Sequence, residues 1–446
     1  MKRLFLSIAL LGTFVFQADA QRISGTWHGE MQLNSLKLNL VLHLDGDSVC
    51  TVDSPDQGAK GIAGTVKELT AEKVDVQFPM LMAAYTAELK EGKLVGTFKQ
   101  RGFTVPLTLE PGDLIRQRPQ TPKPPFPYET HEVKIAVPSP YGGETERGYT
   151  LAGTLTLPPS FGEGTGASLC LLMVTGSGLQ DRDETLFDHK PFAVIADYLA
   201  RHGIATLRYD DRGFGQSTGD PSNCTTADFA EDAAACIAFL RSTPLLKKGD
   251  GGRLKVGILG HSEGGSIAFM LGAKSLPTRD DGQDKPFVDC IVALAAPGIK
   301  GDSLLVEQTN ALLRLNGQPA NMTLKRLRLT MAMQPTNPWY EYFVEYDPSS
   351  DIAATRCPVL ALNGSLDCQV LPKSNLTAIR SLLRLSEWSA TSPYGGETEG
   401  GFYKEYPGLN HLFQHAQTGA ATEYGNIEET ISEEVLHDIV TWLQSL

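Results

Sequence analysis

Val256-Gly257-Ile258-Leu259-Gly260-His261-Ser262-Glu263-Gly264-Gly265 is the stretch on which the fold of this chain turns. An apolar run leads into Gly260–Gly264, and a helical pattern follows from Gly265 to Ser275. A buried strand that turns abruptly into a helix can hold a serine hydroxyl exposed on strained backbone. Glycines two before and two after are required there, because side chains would strike the neighbouring strand or helix. The helix behind the turn adds a positive dipole and free N–H groups aimed at a developing oxyanion. The bare pattern G-x-S-x-G is unspecific, since composition alone gives on the order of 0.3 matches in a chain this long. Its meaning comes from the strand before it, the helix after it and the partners downstream.

Outward from this turn, residues 128–446 alternate strand and helix patterns, the signature of an α/β domain with a mostly parallel sheet. Val133–Val137 and Leu151–Leu157 read as an opening hairpin. Ser168–Val174, Ile204–Tyr209, Val256–Leu259, Ile291–Ala295 and Val359–Leu362 read as buried strands, with Phe402–Tyr406 the last. Helical patterns cover Pro191–His202, Thr226–Arg241, Gly265–Ser275, Lys373–Leu385 and Glu429–Leu446. The segment 302–346 breaks the alternation with helical, aromatic-rich sequence where a cap would be inserted.

The preceding region has a different character. Residues 22–112 hold short alternating runs: Gly25–Leu33, Leu36–Leu44, Gly61–Leu69, Lys73–Leu81, Ala83–Leu89, Leu94–Lys99 and Phe103–Leu109. Turn chemistry separates them, which predicts a small all-β meander or barrel. Gly25-Thr26-Trp27 resembles the Gly-x-Trp opening of lipocalin-type barrels. Residues 113–127 end in the proline-rich run QTPKPPFP and read as a semi-rigid linker. At the N-terminus, Lys2 and Arg3 precede an apolar run to Phe16, and Ala18-Asp19-Ala20 supplies a cleavage pattern. Residues 1–20 therefore read as a signal peptide, and the chain as exported, periplasmic or extracellular.

No other segment approaches the ~18 uninterrupted apolar residues of a membrane span. Cleavage removes Lys2, Arg3 and Asp19 and takes the net charge from −13 to −14. That acidity disfavours nucleic acid and anionic membranes as partners. The seven cysteines form no CxxC and no regular spacing, and they read as small buried hydrophobes. Cys224 with Cys236 is the one pairing worth weighing. No metal cluster and no cofactor motif stands out.

Five motifs in order carry a resemblance across residues 22–446: Gly176-Ser177-Gly178-Leu179-Gln180-Asp181-Arg182-Asp183, Asp211-Arg212-Gly213-Phe214-Gly215-Gln216-Ser217, Gly260–Gly265, Asn363-Gly364-Ser365-Leu366-Asp367 and Gly408-Leu409-Asn410-His411-Leu412-Phe413. With them the chain resembles the α/β-hydrolase superfamily, and within it secreted bacterial two-domain esterases and acyl hydrolases with a small β module. The resemblance implies Ser262 as nucleophile, His411 as base and Asp367 as the acid that orients it, in the chain order of that fold. His411 fills the place of the family's histidine, against His415 four residues on; His437 lies in the terminal helix, out of reach. The backbone N–H groups of Glu263 and Ser177 are the expected oxyanion donors. Many relatives carry histidine where this chain has Thr175, a departure that removes a loop-ordering contact. Asp181-Arg182-Asp183 and Asp210-Asp211-Arg212 read as loop scaffolding, the alternative being that Arg182 or Arg212 holds an acidic substrate.

Two function classes follow. The first is a serine hydrolase acting on a small-molecule acyl ester, with Trp339, Tyr340 and Phe343 of the cap as candidate pocket residues. Within this class Glu263 offers a carboxylate to a substrate amine, which keeps an aminopeptidase-like activity open. The second is an inactive binding protein whose β module captures a glycan or lipid. Ser139–Glu146 recurs unchanged as Ser392–Glu399. Chance gives such a repeat on the order of one time in 10⁵, and a recent short duplication is preferred to a matched interaction surface.

Overall fold

The computed structural model describes residues 23–446 apart from 34–35, 46–47, 58, 139–147, 160, 162–167, 247–253, 277–284, 334 and 390–400. The expected signal peptide and both copies of the repeated octapeptide lie outside the described residues. The chain divides into two compact units, Met1–Ile115 and Arg116–Leu446.

The first unit is a closed antiparallel barrel of β1 (Gly25–Leu33), β2 (Leu36–Leu44), β3 (Val49–Ser54), β4 (Ala59–Leu69), β5 (Lys73–Phe78), β6 (Ala83–Lys90), β7 (Lys93–Gln100) and β8 (Phe103–Pro111). Neighbours in sequence pair in space, and β1 closes on β8. Alternate side chains such as Trp27, Leu40, Leu42, Val74, Val76, Phe78, Leu94 and Leu109 fill its core. Tyr85 reaches inward as well, and its hydroxyl donates to the carbonyls of Leu94 and Leu107. One strand, β3, was not expected from the sequence. It is short, ends before Pro55, and its buried positions are Cys50, Val52 and Ser54. The strand expected to run to Leu81 stops at Phe78, because Pro79 opens a 3₁₀ turn.

The second unit is built on a nine-stranded sheet. Its strands are β9 (Glu129–Val137), β10 (Tyr149–Leu157), β11 (Ser168–Val174), β12 (Ala205–Tyr209), β13 (Leu254–His261), β16 (Ile291–Leu294), β17 (Val359–Gly364), β18 (Ser386–Glu387) and β19 (Gly401–Tyr406); β14 (Ser275–Leu276) and β15 (Lys285–Pro286) form a separate small pair. The order is β18-β19-β17-β16-β13-β11-β12-β10-β9. All pairs are parallel except those of β10 with β9 and with β12. Side chains alternate between two cores. Cys170, Leu172 and Val174 of β11 face α2 (Thr226–Ser242), α3 (Glu263–Gly272), α7 (Ser349–Ala354) and α8 (Asn375–Leu383). Leu171 and Met173 face α1 (Pro191–Arg201) and α10 (Glu433–Gln444), a face that also buries Trp442. Both faces being covered explains why the strands read as continuous apolar runs.

The expected cap is helical: α4 (Gly301–Leu315), α5 (Leu324–Met333) and α6 (Pro338–Glu345). A short α9 (Ala421–Tyr424) precedes α10. The proline-rich stretch is not a free spacer. The Arg118 guanidinium donates to the carbonyls of Phe187, Gly425 and Ile427 at 2.8–3.0 Å, and Gln120 brackets Thr430 and Ile431. A strongly hydrogen-bonding side chain every other residue turns the expected linker into a strap of the second unit.

Candidate active site

The sheet reverses its winding between β11 and β13, since β12 lies on one side of β11 and β13 on the other. Ligands of open α/β sheets sit at the carboxyl ends of strands at such a point. Ser262 lies there, between β13 and α3, with φ 53° and ψ −120°. A left-handed serine is strained, and the surroundings hold it: its N–H donates to Leu294 O at 2.8 Å. A Cβ on Gly260 would lie 2.1 Å from Gly264 O, and one on Gly264 would lie 2.1 Å from Val174 O. Both glycines are therefore required by close backbone approach. Glu263 begins α3, so its N–H has no acceptor within the helix. The loop after β11 passes close by, with Gly176 so placed that a Cβ there would be 3.2 Å from Ser262 Cβ.

His411 and Asp367 meet behind the same cavity. His411 Nδ1 is 2.7 Å from Asp367 Oδ2, and the two side chains are 5% and 0% exposed. The other oxygen of Asp367 accepts the N–H groups of Gln369 and Val370. This arrangement fixes the carboxylate, and with Nδ1–H donated to it the Nε2 lone pair is left for a proton acceptor's role. His415 is exposed, with its ring held by Glu429 at 2.8 Å, and His437 lies on α10 beside Thr441.

A cavity of about 340 Å³ is lined by Ser262, His411, Ser177 and Gln180, and by Leu304, Leu305, Gln308, Trp339, Tyr340 and Phe343 of the cap. All three aromatics singled out in the sequence line it. Asn337 caps α6 by accepting the N–H of Tyr340, and Pro338 sits at the first helical position. That start directs Trp339 inward, stacked on Phe343 at 5.4 Å, with its indole N–H 2.8 Å from Glu263 Oε1. The same carboxylate accepts Thr226 Oγ1 at 2.6 Å and a hydrogen bond from the Ser177 side chain. Burial pushes the Glu263 carboxyl above its ordinary range against these three donors.

The charged motifs are scaffolding. Arg182 clasps Asp210, Glu132 and Thr154, while Arg212 clasps Asp232 and lies over the Tyr149 ring. Asp210 is held below its ordinary range: burial opposes this, and Arg182 with the N–H groups of Gln216 and Arg182 outweighs it. Thr175 does supply an ordering contact, contrary to expectation, because its hydroxyl donates to Asp211 at 3.3 Å. Asp211, whose carboxyl is pushed up to about 8 by burial, also accepts the Gln180 N–H. A larger cleft of about 590 Å³ lies under Phe126 and Tyr128, but its cations are already bound to carboxylates. Two residues at the site carried no signal in the sequence. His261 fills the free position of G-x-S, and Glu184 lies just beyond the Gly176–Asp183 motif.

A family model described as serine aminopeptidase, S33, matches residues 189–366. The esterase EstD of Thermotoga maritima is 28% identical over 244 residues, which make up 52% of this chain and 53% of that protein. The chain thus spans about half the length of the curated relative it matches. Among solved structures, the Pyrococcus furiosus esterase Pf2001 is 14% identical, with 75% of this chain and 98% of that chain covered at a TM-score of 0.42. A putative hydrolase of Agrobacterium vitis is 17% identical, with 72% and 98% covered at 0.42.

Proposed function

We propose that this chain belongs to the α/β-hydrolase superfamily and is a serine hydrolase of carboxylic esters that works through an acyl-enzyme intermediate. One observation carries the proposal: a buried His411–Asp367 pair opens on the same cavity as a serine held at positive φ. A hydroxyl is a poor nucleophile until a base removes its proton. In the proposed first step His411 Nε2 takes the Ser262 proton while the serine oxygen attacks the ester carbonyl. The carbonyl oxygen becomes an oxyanion facing the N–H groups of Glu263 and Ser177. Collapse breaks the bond to the alkoxide, which leaves with the proton from His411. Water then repeats the sequence on the acyl-enzyme, releasing the carboxylic acid and restoring Ser262. Asp367 accepts the Nδ1–H and steadies the imidazolium that forms in each half. The meeting of this pair with a strained serine on one cavity favours hydrolysis over an inert binding protein.

Ser262→Ala tests this reading. Turnover of nitrophenyl acyl esters is expected to fall ~10⁴-fold or more, with circular dichroism unchanged. Activity within tenfold of the parent chain would overturn the assignment. The family model's description favours a second reading, an aminopeptidase-like activity. That reading needs an acceptor for the substrate amine, and the Glu263 carboxylate is already occupied by Thr226, Trp339 and Ser177. Aminoacyl anilides assayed beside the esters discriminate the two, and a higher kcat/KM on the anilides would favour the peptidase. We also propose export after cleavage near Ala20, which N-terminal sequencing of protein from the periplasm or medium would test.

A further inference from the structure

We propose that Glu184 and His261 are positioning residues sharing one buried proton, and that this bridge fixes the loops on either side of Ser262. The proposal rests on the reading of Ser262 as nucleophile and His411 as base. His261 is the last residue of β13, and its ring is buried against that of His411, with centroids 4.7 Å apart. Its Nδ1 is 2.8 Å from Glu184 Oε1, and its Nε2 is 3.0 Å from the backbone oxygen of His411. Glu184 Oε1 also accepts the N–H of Gly176 at 2.9 Å. One chain of contacts thus runs from the expected oxyanion loop, through Glu184 and His261, to the loop that carries the base.

Counting protons decides its character. A backbone carbonyl only accepts, and so does an ionised carboxylate. A neutral imidazole has a single N–H and satisfies one of the two. A second proton must therefore lie between Nδ1 and Oε1. Burial works against a charge on His261, but Glu184, its hydrogen bond, the His411 carbonyl and Asp367 outweigh it and hold the imidazolium above the ordinary histidine range. The titratable groups acting on this ring are Glu184 after β11, Asp367 after β17 and His411 after β19. Glu184 itself sits at φ 54°, a strained backbone that aims its carboxylate inward.

The pairing also keeps the site's charge in order. His411 becomes a cation when it takes the serine proton, and a lone positive His261 beside it would oppose that. Glu184 neutralises His261, which leaves Asp367 for His411. As pH rises through the elevated His261 pKa, Nδ1 loses its proton and its lone pair faces a carboxylate. The bridge is intact below that pH and lost above it, so kcat should decline on the alkaline side.

The test has two arms. In ¹⁵N-histidine NMR of the full Ser262→Ala chain at pH 7, His261 should show two protonated ring nitrogens, assigned by their loss in His261→Gln. This arm needs no turnover, so it stands or falls separately from the ester-hydrolase reading. In the active chain, Glu184→Gln removes the charge that balances the imidazolium, and a neutral His261 with a single N–H can no longer donate to both Oε1 and the His411 carbonyl. It should lower kcat ~10-fold or more, leave KM within about twofold, and remove the alkaline limb of the kcat profile. A single ring proton on His261 at pH 7 overturns the proposal, whether or not Glu184→Gln folds. An unchanged alkaline limb in a folded Glu184→Gln also overturns it, leaving a merely structural contact.

Discussion

Gly264 shows how little freedom single positions have around Ser262. Adding one methyl group there puts a carbon 2.1 Å from a strand carbonyl that cannot retreat. Gly264→Ala should cost more than ~3 kcal/mol in urea unfolding, far beyond the usual surface change. His411→Ala should lower kcat ~10⁴-fold. His415→Ala removes only an exposed contact with Glu429 and should leave kcat/KM within about threefold. A dead His415→Ala enzyme would move the base four residues along the chain. The sequence is informative at these positions because each is set by local geometry: a turn demands glycines, and a motif brings its histidine. Glu184 and His261 were invisible for the opposite reason. Their meaning lies in a contact across 77 residues that no spacing announces.

At the scale of elements, the strands and helices of the sheet were legible because burial on both faces writes long apolar runs. Strand β3 was not, since a six-residue strand between turns differs little from the turns themselves. The cap was legible as helical and aromatic, but its anchoring was not. Trp339 lines the cavity and also holds the Glu263 carboxylate. Trp339→Ala therefore opens the pocket and unties α6 together, whereas Phe343→Ala only opens it. An acyl chain gains ~0.8 kcal/mol per buried methylene, about fourfold in kcat/KM. Phe343→Ala should flatten that gain from acetyl to octanoyl esters with acetyl little changed. Trp339→Ala should lower every ester. Equal, parallel losses in both variants would make the aromatics structural.

Across the whole molecule, two units with separate cores predict separate folding, and the strap decides where a cut is tolerated. A chain beginning at Arg116 retains the guanidinium that closes on Phe187, Gly425 and Ile427; one beginning at Pro124 does not. Hydrogen bonds to charged groups contribute ~1.5–3 kcal/mol each. The shorter chain should thus melt several degrees lower, by differential scanning calorimetry, than the longer one. The longer one should unfold in a single cooperative transition. The strap's prolines suggested a spacer because composition reports stiffness, not attachment.

All seven cysteines are free and buried. Burial pushes the Cys50 and Cys368 thiols up to about 11, and the others are likewise shielded from becoming thiolates or are raised by the same cause. In the oxidising compartment that the proposed export would reach, this turns maturation into a race. The unfolded chain is briefly a bearer of seven reactive groups, and the folded one is chemically quiet. Whichever process is faster, collapse of the cores or oxidation of the chain, decides the yield of active protein. Oxidant added at the start of refolding should therefore trap cross-linked material, while the same oxidant added an hour later should find nothing to react with.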